Sequence, residues 1–289
     1  MRILITGAFG QLGHALQSVL SRKSNYELIC TGRKIKKGQE GIPLDIRNQV
    51  ALKEIINTTA PDILINLAAM TNVDACELNP KLAGEINVAG LQHICDSFKG
   101  KIIHLSTDYV FDGTSGPYKE DDPLNPISIY GKTKLASEHI LLEKDIKNLV
   151  IRGNVLYDYS PHTSASFLNW VVSSLKNNQE IKVVEDQFNN PTWTRSMSDI
   201  IELSIENDLE GIIHWGDSEH ISRFEFAKLI AKKFSLDESL IKPILTSELN
   251  QPARRPLQSG LSTEKLVNML DIIPPSIDDC LDEIIKTIQ

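Results

Sequence analysis

The sequence predicts an α/β protein: a Rossmann-type doubly wound parallel sheet followed by a smaller, mostly helical C-terminal lobe. Three observations carry this. Short runs of Ile, Leu and Val alternate with longer amphipathic stretches through the first half of the chain, the pattern of strands joined by crossover helices. The first run leads straight into a Gly-rich turn, Gly7-Ala8-Phe9-Gly10-Gln11-Leu12-Gly13. Beyond Gly153 the alternation fades and prolines collect, in Asn190-Pro191, Gln251-Pro252, Arg255-Pro256 and Pro274-Pro275. The expected division is residues 1–152 for the sheet domain and 153–289 for the lobe, partly interleaved.

Strands are expected at Arg2–Thr6, Glu27–Thr31, Asp62–Asn66, Lys101–Ser106 and Asn148–Arg152. Their runs are apolar on both faces, as in a parallel sheet covered by helices on each side. Helical patterns lie between them, near Gln11–Arg22, Arg47–Thr58, Pro80–Phe98 and Ser128–Glu143, and right-handed crossovers then give the doubly wound order. Lobe helices are expected near Ala165–Asn177, Met197–Asn207, Ser222–Phe234, Thr263–Met269 and Ser276–Ile288. Such a lobe sits over the carboxyl edge of the sheet, where ligands of open α/β folds bind.

Composition narrows the function. The chain has 289 residues, 41% hydrophobic and 24% charged, which excludes a disordered chain. Lys and Arg number 30 against 38 Asp and Glu, a net charge of −8, so neither nucleic acid nor an anionic membrane is expected as a partner. Cys30, Cys76, Cys95 and Cys280 form no C-x-x-C pair and read as free thiols of a reducing compartment. The opening run is too short for a signal peptide, and no run approaches a membrane span. A cytoplasmic protein is expected.

The Gly-rich turn lies between a strand and an amphipathic helix, the context a dinucleotide needs. Glycines there permit the tight turn and let backbone approach a pyrophosphate, which the free N–H groups of the helix start attract. Gly7, Phe9, Gly10, Gln11 and Leu12 are the candidate contacts. The second strand ends in Thr31-Gly32-Arg33-Lys34, with no carboxylate to hold a ribose 2′-hydroxyl. Arg33 instead suits a 2′-phosphate, so NADPH is the expected cofactor, with NADH left open.

Tyr130-Gly131-Lys132-Thr133-Lys134 is a Y-x-x-x-K pair whose phenol and ammonium share one helix face. Lys134 is expected to lower the pKa of Tyr130 electrostatically and to reach the cofactor ribose, so the phenol can exchange a proton with a carbonyl or carbinol oxygen. Thr107, ending the strand that closes in Leu105-Ser106, offers a hydroxyl to the same oxygen. Asn66-Leu67-Ala68-Ala69 places small residues where the chain would pass beneath a nicotinamide ribose.

These motifs resemble the extended short-chain dehydrogenase/reductases, and more closely the dTDP-4-dehydrorhamnose reductase family. The likeness runs through Leu44-Asp45-Ile46, Thr71-Asn72-Val73-Asp74, Ser106-Thr107-Asp108-Tyr109-Val110-Phe111-Asp112-Gly113, Tyr130–Lys134, Asp186-Gln187-Phe188 and Arg255-Pro256, essentially the whole chain. It implies NADPH-dependent reduction of the 4-keto group of a nucleotide-activated 6-deoxyhexulose, in activated deoxysugar and polysaccharide biosynthesis. Thr107, Tyr130 and Lys134 match the catalytic trio. Asp45 and Ile46 match the adenine-side segment, Ala68 and Ala69 the ribose-side segment, and Val73, Asp108 and Tyr109 the sugar side.

Departures bear on the substrate. Val155 stands where the family often carries a tryptophan against the sugar, and Ala15 where some members place a glutamate of a magnesium-linked dimer. No metal is therefore expected, and a homodimer is left open. Thr107 is followed by Asp108 and Tyr109 rather than Asp-Glu, which argues against a dehydratase; an epimerase remains a rival. A second rival is a non-catalytic subunit resembling the methionine adenosyltransferase beta subunit, suggested by Gly211-Ile212-Ile213-His214-Trp215 and Phe224-Glu225-Phe226-Ala227. The acidic Glu120-Asp121-Asp122 reads as a solvated loop beside the site. A basic lobe residue, Arg255, is then expected to hold the substrate pyrophosphate.

Overall fold

A computed structural model describes residues 1–144, 147–159 and 166–288. The first half runs β1 (Arg2–Thr6), α1 (Gln11–Leu20), β2 (Glu27–Gly32), β3 (Ile42–Pro43), α2 (Gln49–Thr59), β4 (Ile63–Asn66), α3 (Val73–Leu78), α4 (Pro80–Gly84), α5 (Gly90–Ser97), β5 (Lys101–Thr107), α6 (Ile129–Leu142) and β6 (Leu149–Gly153). There follow β7 (Leu156–Tyr157), α7 (Phe167–Lys176), β8 (Ile181–Val184), β9 (Phe188–Asn189), β10 (Thr192–Trp193), α8 (Thr194–Glu206) and β11 (Gly211–Trp215). The chain closes with β12 (Ile221–Ser222), α9 (Arg223–Lys233), β13 (Ile241–Ile244), α10 (Glu264–Leu270) and α11 (Ile277–Ile288).

Seven strands form one parallel sheet in the order β11-β6-β5-β4-β1-β2-β3. The order reverses at β1, between β2 and β4, which opens a crevice at the strand carboxyl ends. The five expected strands are all present. Two others were not expected as sheet members: β3 is too short to show a period, and β11 lies far beyond residue 152. With β11 comes α8, whose Met197, Ile200, Ile201 and Ile205 pack with Leu12, Leu16 and Leu20 of α1 against Ile3 and Ile5. Leu4 faces the opposite layer with Leu52 and Ile55 of α2 and Leu91 and Ile94 of α5. A chain running on from 153 thus builds part of the sheet domain before completing the lobe.

The lobe has its own core, in which Leu168, Val171, Phe226, Ile230, Ile277 and Leu281 meet around Tyr157. The expected start of its first helix, Ala165, lies outside the described residues. Capping sets several helix starts: Asn48 accepts from Ala51 N, Ser128 from Gly131 N, and Ser222 with Glu225 forms a capping box. α1 differs, for its N-cap is Gly10 and no side chain caps it.

The loop leading to α6 is fastened to β11. Glu120 accepts from His214 N at 3.0 Å, and its backbone carbonyl accepts from Arg152 at 3.3 Å, so this acidic residue is docked where solvation was expected. Arg152 is fully buried and grips Glu138 of α6, Nη2 to Oε2 at 2.7 Å and Nε to Oε1 at 3.0 Å. Removing one partner of such a pair strands a buried charge. Arg152→Met is expected to lower stability by about 3 to 5 kcal/mol in urea unfolding, and Arg152→Met with Glu138→Leu to lose less. A double variant as unstable as the sum would contradict that coupling.

Candidate active site

The motifs singled out from the sequence converge on the carboxyl edge of the sheet. Gly7 leaves β1 at φ +71°, and a Cβ there would stand 2.7 Å from Ala68 N, so only glycine lets the turn pass against the end of β4. Gly10 faces open space on its Cα side, where a Cβ would meet only Gly7 O at 3.4 Å. That open backbone and the uncapped start of α1 form an anion cradle of the kind a pyrophosphate fills. Phe9 packs over Gly32 and Gly41 at the end of β2. Gln11 donates to Leu156 O of the lobe at 3.3 Å, and Leu12 is in the core; of Leu12, only the backbone remains for a ligand.

Further along the crevice, Asp45, Arg47, Asn48, Glu85, Ala89 and His93 line a cavity of about 540 Å³. Asp45 is held by Arg47, Nη2 to Oδ2 at 2.6 Å and Nε to Oδ1 at 3.0 Å, which lowers its pKa, with exposed Arg33 adding a smaller pull. The Ile46 side chain is buried against Gly90, and its backbone carbonyl lies 3.2 Å from His93 Nδ1. Arg33 therefore lies near enough to Asp45 to act on its carboxylate.

Thr107, Tyr130 and Lys134 come together at β5 and α6. Gly131 makes this contact, since a Cβ there would lie 2.1 Å from Tyr109 O. Thr107 donates to Asp108 Oδ1 at 3.0 Å and accepts from Tyr109 N at 3.3 Å, with the Tyr130 phenol beside it. Tyr109 meets Tyr130 edge-on, ring centres 5.6 Å apart. Lys134 is 2% exposed and donates to Leu105 O at 2.7 Å.

Burial pushes the Tyr130 phenol above its ordinary value, and Thr107 beside it opposes the rise. Burial lowers Lys134 itself to about 8, with Glu138 opposing. At neutral pH the site therefore holds a protonated phenol and a charged ammonium, the state of a proton donor. Asp108, buried beside them, is raised to about 6 by desolvation.

On the lobe side, Val155 follows β6, and its carbonyl accepts from Thr192 N at 3.2 Å. Val73 opens α3 beside Asp74, whose carboxylate takes Arg255 Nη2 at 2.8 Å. Arg255 is thus tethered rather than free. Arg223 shares its neighbourhood: it is coupled to Tyr109, Asp108 and Arg255, and its guanidinium lies over Phe167 at 5.3 Å. Sequence reasoning passed over Arg223, a first-turn helix residue with no distinguishing signal. It also passed over Asn87, whose amide joins Met70 to Thr133 from a π-helical turn, Glu85–Ala89. His104, a lone polar residue in an apolar run, was the one detectable omission. Trp215 is core, donating to Ser196 at 2.7 Å.

Residues 1–289 match the family described as the RmlD substrate binding domain. A dTDP-4-dehydrorhamnose reductase of Aggregatibacter actinomycetemcomitans is 31% identical over 94% of each chain. The methionine adenosyltransferase 2 subunit beta of Xenopus laevis is 31% identical over 93% of this chain and 82% of its own. A solved dTDP-4-dehydrorhamnose reductase from Bacillus anthracis, in complex with NADP, superposes with a TM-score of 0.90 at 30% identity over 99% of each chain.

The buried Lys134 makes a stability prediction. Its pKa is about 8 in the folded chain against 10.5 as the ordinary value. Between these values the unfolded chain binds more protons, so this group makes stability rise with pH. Lys134→Met is expected to lose that rise and to gain about 1 to 2 kcal/mol at neutral pH. Urea midpoints from about pH 7 to about 10 measure it; parallel curves for the two proteins would refute it.

Proposed function

The chain belongs to the RmlD substrate binding domain family, and from that premise we propose how its residues carry out an NADPH-dependent reduction of the 4-keto group of a nucleotide-activated 6-deoxyhexulose. The observation that carries this reading is the meeting of α6 with the end of β5, where buried Lys134 donates to Leu105 O at 2.7 Å and the Tyr130 phenol lies beside Thr107.

NADPH, when bound, supplies the hydride that adds to the carbonyl carbon. The cradle at Gly7, Gly10 and the start of α1 fits its pyrophosphate, and Phe9, Gln11 and Leu12 complete that turn. Arg33 suits the 2′-phosphate, Asp45 and Ile46 border the adenine, and Ala68 and Ala69 leave room at the ribose. Tyr130 gives its proton to the carbonyl oxygen as negative charge develops there. Thr107 holds the same oxygen, which takes the place of Asp108 as acceptor of its proton. The Lys134 ammonium steadies the phenolate left behind and orients the ribose hydroxyls.

Val73, Asp108, Tyr109 and Val155 border the sugar in this reading. The pyrophosphate of the substrate falls to Arg255, as the sequence suggested, joined by Arg223. Four free thiols fit a reducing cytoplasm, where such a nucleotide sugar would be made. The match to a methionine adenosyltransferase beta subunit keeps a regulatory role as the second reading, and the intact Thr107, Tyr130 and Lys134 favour turnover over it.

NADPH oxidation against nucleotide-linked 4-keto-6-deoxyhexuloses tests the assignment. Tyr130→Phe is expected to lower kcat by about 10² to 10⁴; undiminished turnover would remove Tyr130 from its role. No oxidation by the parent, together with a stoichiometric partner on purification, would favour the regulatory subunit.

Michaelis constants separate the two anion sites. Arg33→Ala should raise KM for NADPH and leave that for NADH, whereas Arg223→Ala and Arg255→Ala should raise KM for the sugar nucleotide alone. Equal effects on all three constants would contradict these assignments.

A further inference from the structure

Under the catalytic face, His104 of β5 is buried and touches Asn66, Ser137 and Lys134. Its surroundings fix its tautomer. Asn66 Oδ1 accepts from Thr6 Oγ1 at 2.6 Å and from Ala68 N at 3.3 Å, so the other end of that amide is the NH2. It donates to His104 Nδ1 at 3.0 Å, and Nδ1 must be the bare nitrogen. A neutral ring then carries its proton on Nε2. Ser137 gives its own proton to Lys134 O at 2.6 Å, which leaves its oxygen to accept from Nε2–H at 3.0 Å.

The Lys134 ammonium lies 3.1 Å from that same Nε2. A donor faces a donor, and Leu105 O is the single acceptor that the ammonium finds among the described residues. Protonating the ring would not help, because burial and the Lys134 charge both oppose it.

We propose that His104 is a positioning residue for Lys134: locked as the Nε2–H tautomer, it denies the ammonium an acceptor and keeps two of its N–H groups for the Tyr130 phenol and the ribose hydroxyls of the cofactor. The destination of those N–H groups rests on the reductase reading, whereas the tautomer rests on hydrogen-bond geometry alone. The charged and titratable groups around the ammonium are few. Glu138 and Tyr130 lie on its own helix, His104 on β5, and Arg152 on β6 engages Glu138.

The ring is read in the whole, cofactor-free protein labelled with 15N-histidine, by long-range proton–nitrogen correlation from about pH 5.5 to about 9. His104, assigned by sequential backbone correlation, is expected to stay neutral and Nε2–H throughout. An Nδ1–H ring, or one that protonates near its ordinary value, overturns the proposal, and this readout needs neither a variant nor turnover.

His104→Gln can turn its amide oxygen to the ammonium and its NH2 to Ser137, supplying the withheld acceptor. The alkaline limb of kcat should then move up by roughly one unit, with kcat down about tenfold and KM for the sugar nucleotide changed less than about twofold. An unmoved limb with the parent's kcat overturns the positioning role. Turnover that survives Tyr130→Phe would instead defeat the reductase assignment and leave the tautomer result standing.

Discussion

The catalytic helix is docked on the sheet by polar contacts, and the arrangement of the site depends on that docking. Of the residues α6 buries, Gly131, Thr133, Lys134, Ser137, Glu138 and Leu141, only the last is a large apolar side chain. Two rows of side chains on adjacent strands receive it. Thr6, Asn66 and His104 stand in register across β1, β4 and β5 and end on Ser137 and Lys134. Ser106, Arg152 and His214 stand in register across β5, β6 and β11, and the first two meet Glu138. An apolar helix face can repack with small shifts at modest cost. Directional bonds in a low-dielectric interior allow far less movement, so Tyr130 is fixed relative to Thr107.

The same burial sets the protonation states. A phenol raised by desolvation keeps its proton to be given away, and an ammonium lowered towards neutrality is acidic but still charged at pH 7. Both ligands proposed for the crevice are anions, while the chain carries a net charge of −8. In that proposal binding comes from local features: the uncapped start of α1, Arg33 at one end, and Arg223 with Arg255 at the other. Asp74 tethers Arg255 and Arg47 neutralises Asp45, so each end of the crevice has its arginines oriented by a carboxylate or its carboxylates screened by an arginine.

Much of this was legible in the sequence, for physical reasons. A buried parallel sheet forces apolar runs of fixed length, and the Gly7 turn and the Tyr130–Lys134 spacing are local, so both can be read from neighbours in the chain. What escaped depends on distant contacts. β3 has two residues and no period. β11 joins the sheet only because α8 packs on α1, a contact no local pattern announces. Glu120 reads as solvent-facing until β11 supplies His214 N as its donor. Lys134 donates to Leu105 O and lies against His104, and backbone carbonyls leave no mark on a sequence.

The two readings of the family, turnover or binding alone, place different demands on these buried groups. A protein that only binds a partner has no use for an ammonium 2% exposed with one good acceptor, because a methionine would fill the space at lower desolvation cost. Retaining it is sensible where the charge works on a reacting group. Buried Asp108, raised to about 6 by desolvation, belongs to the same pattern. So does Thr107, whose proton rests on Asp108 Oδ1 and is available to another acceptor. A substrate oxygen standing in for Asp108 would take that proton as charge develops on it, which is how a site built for a transition state differs from a surface built for packing.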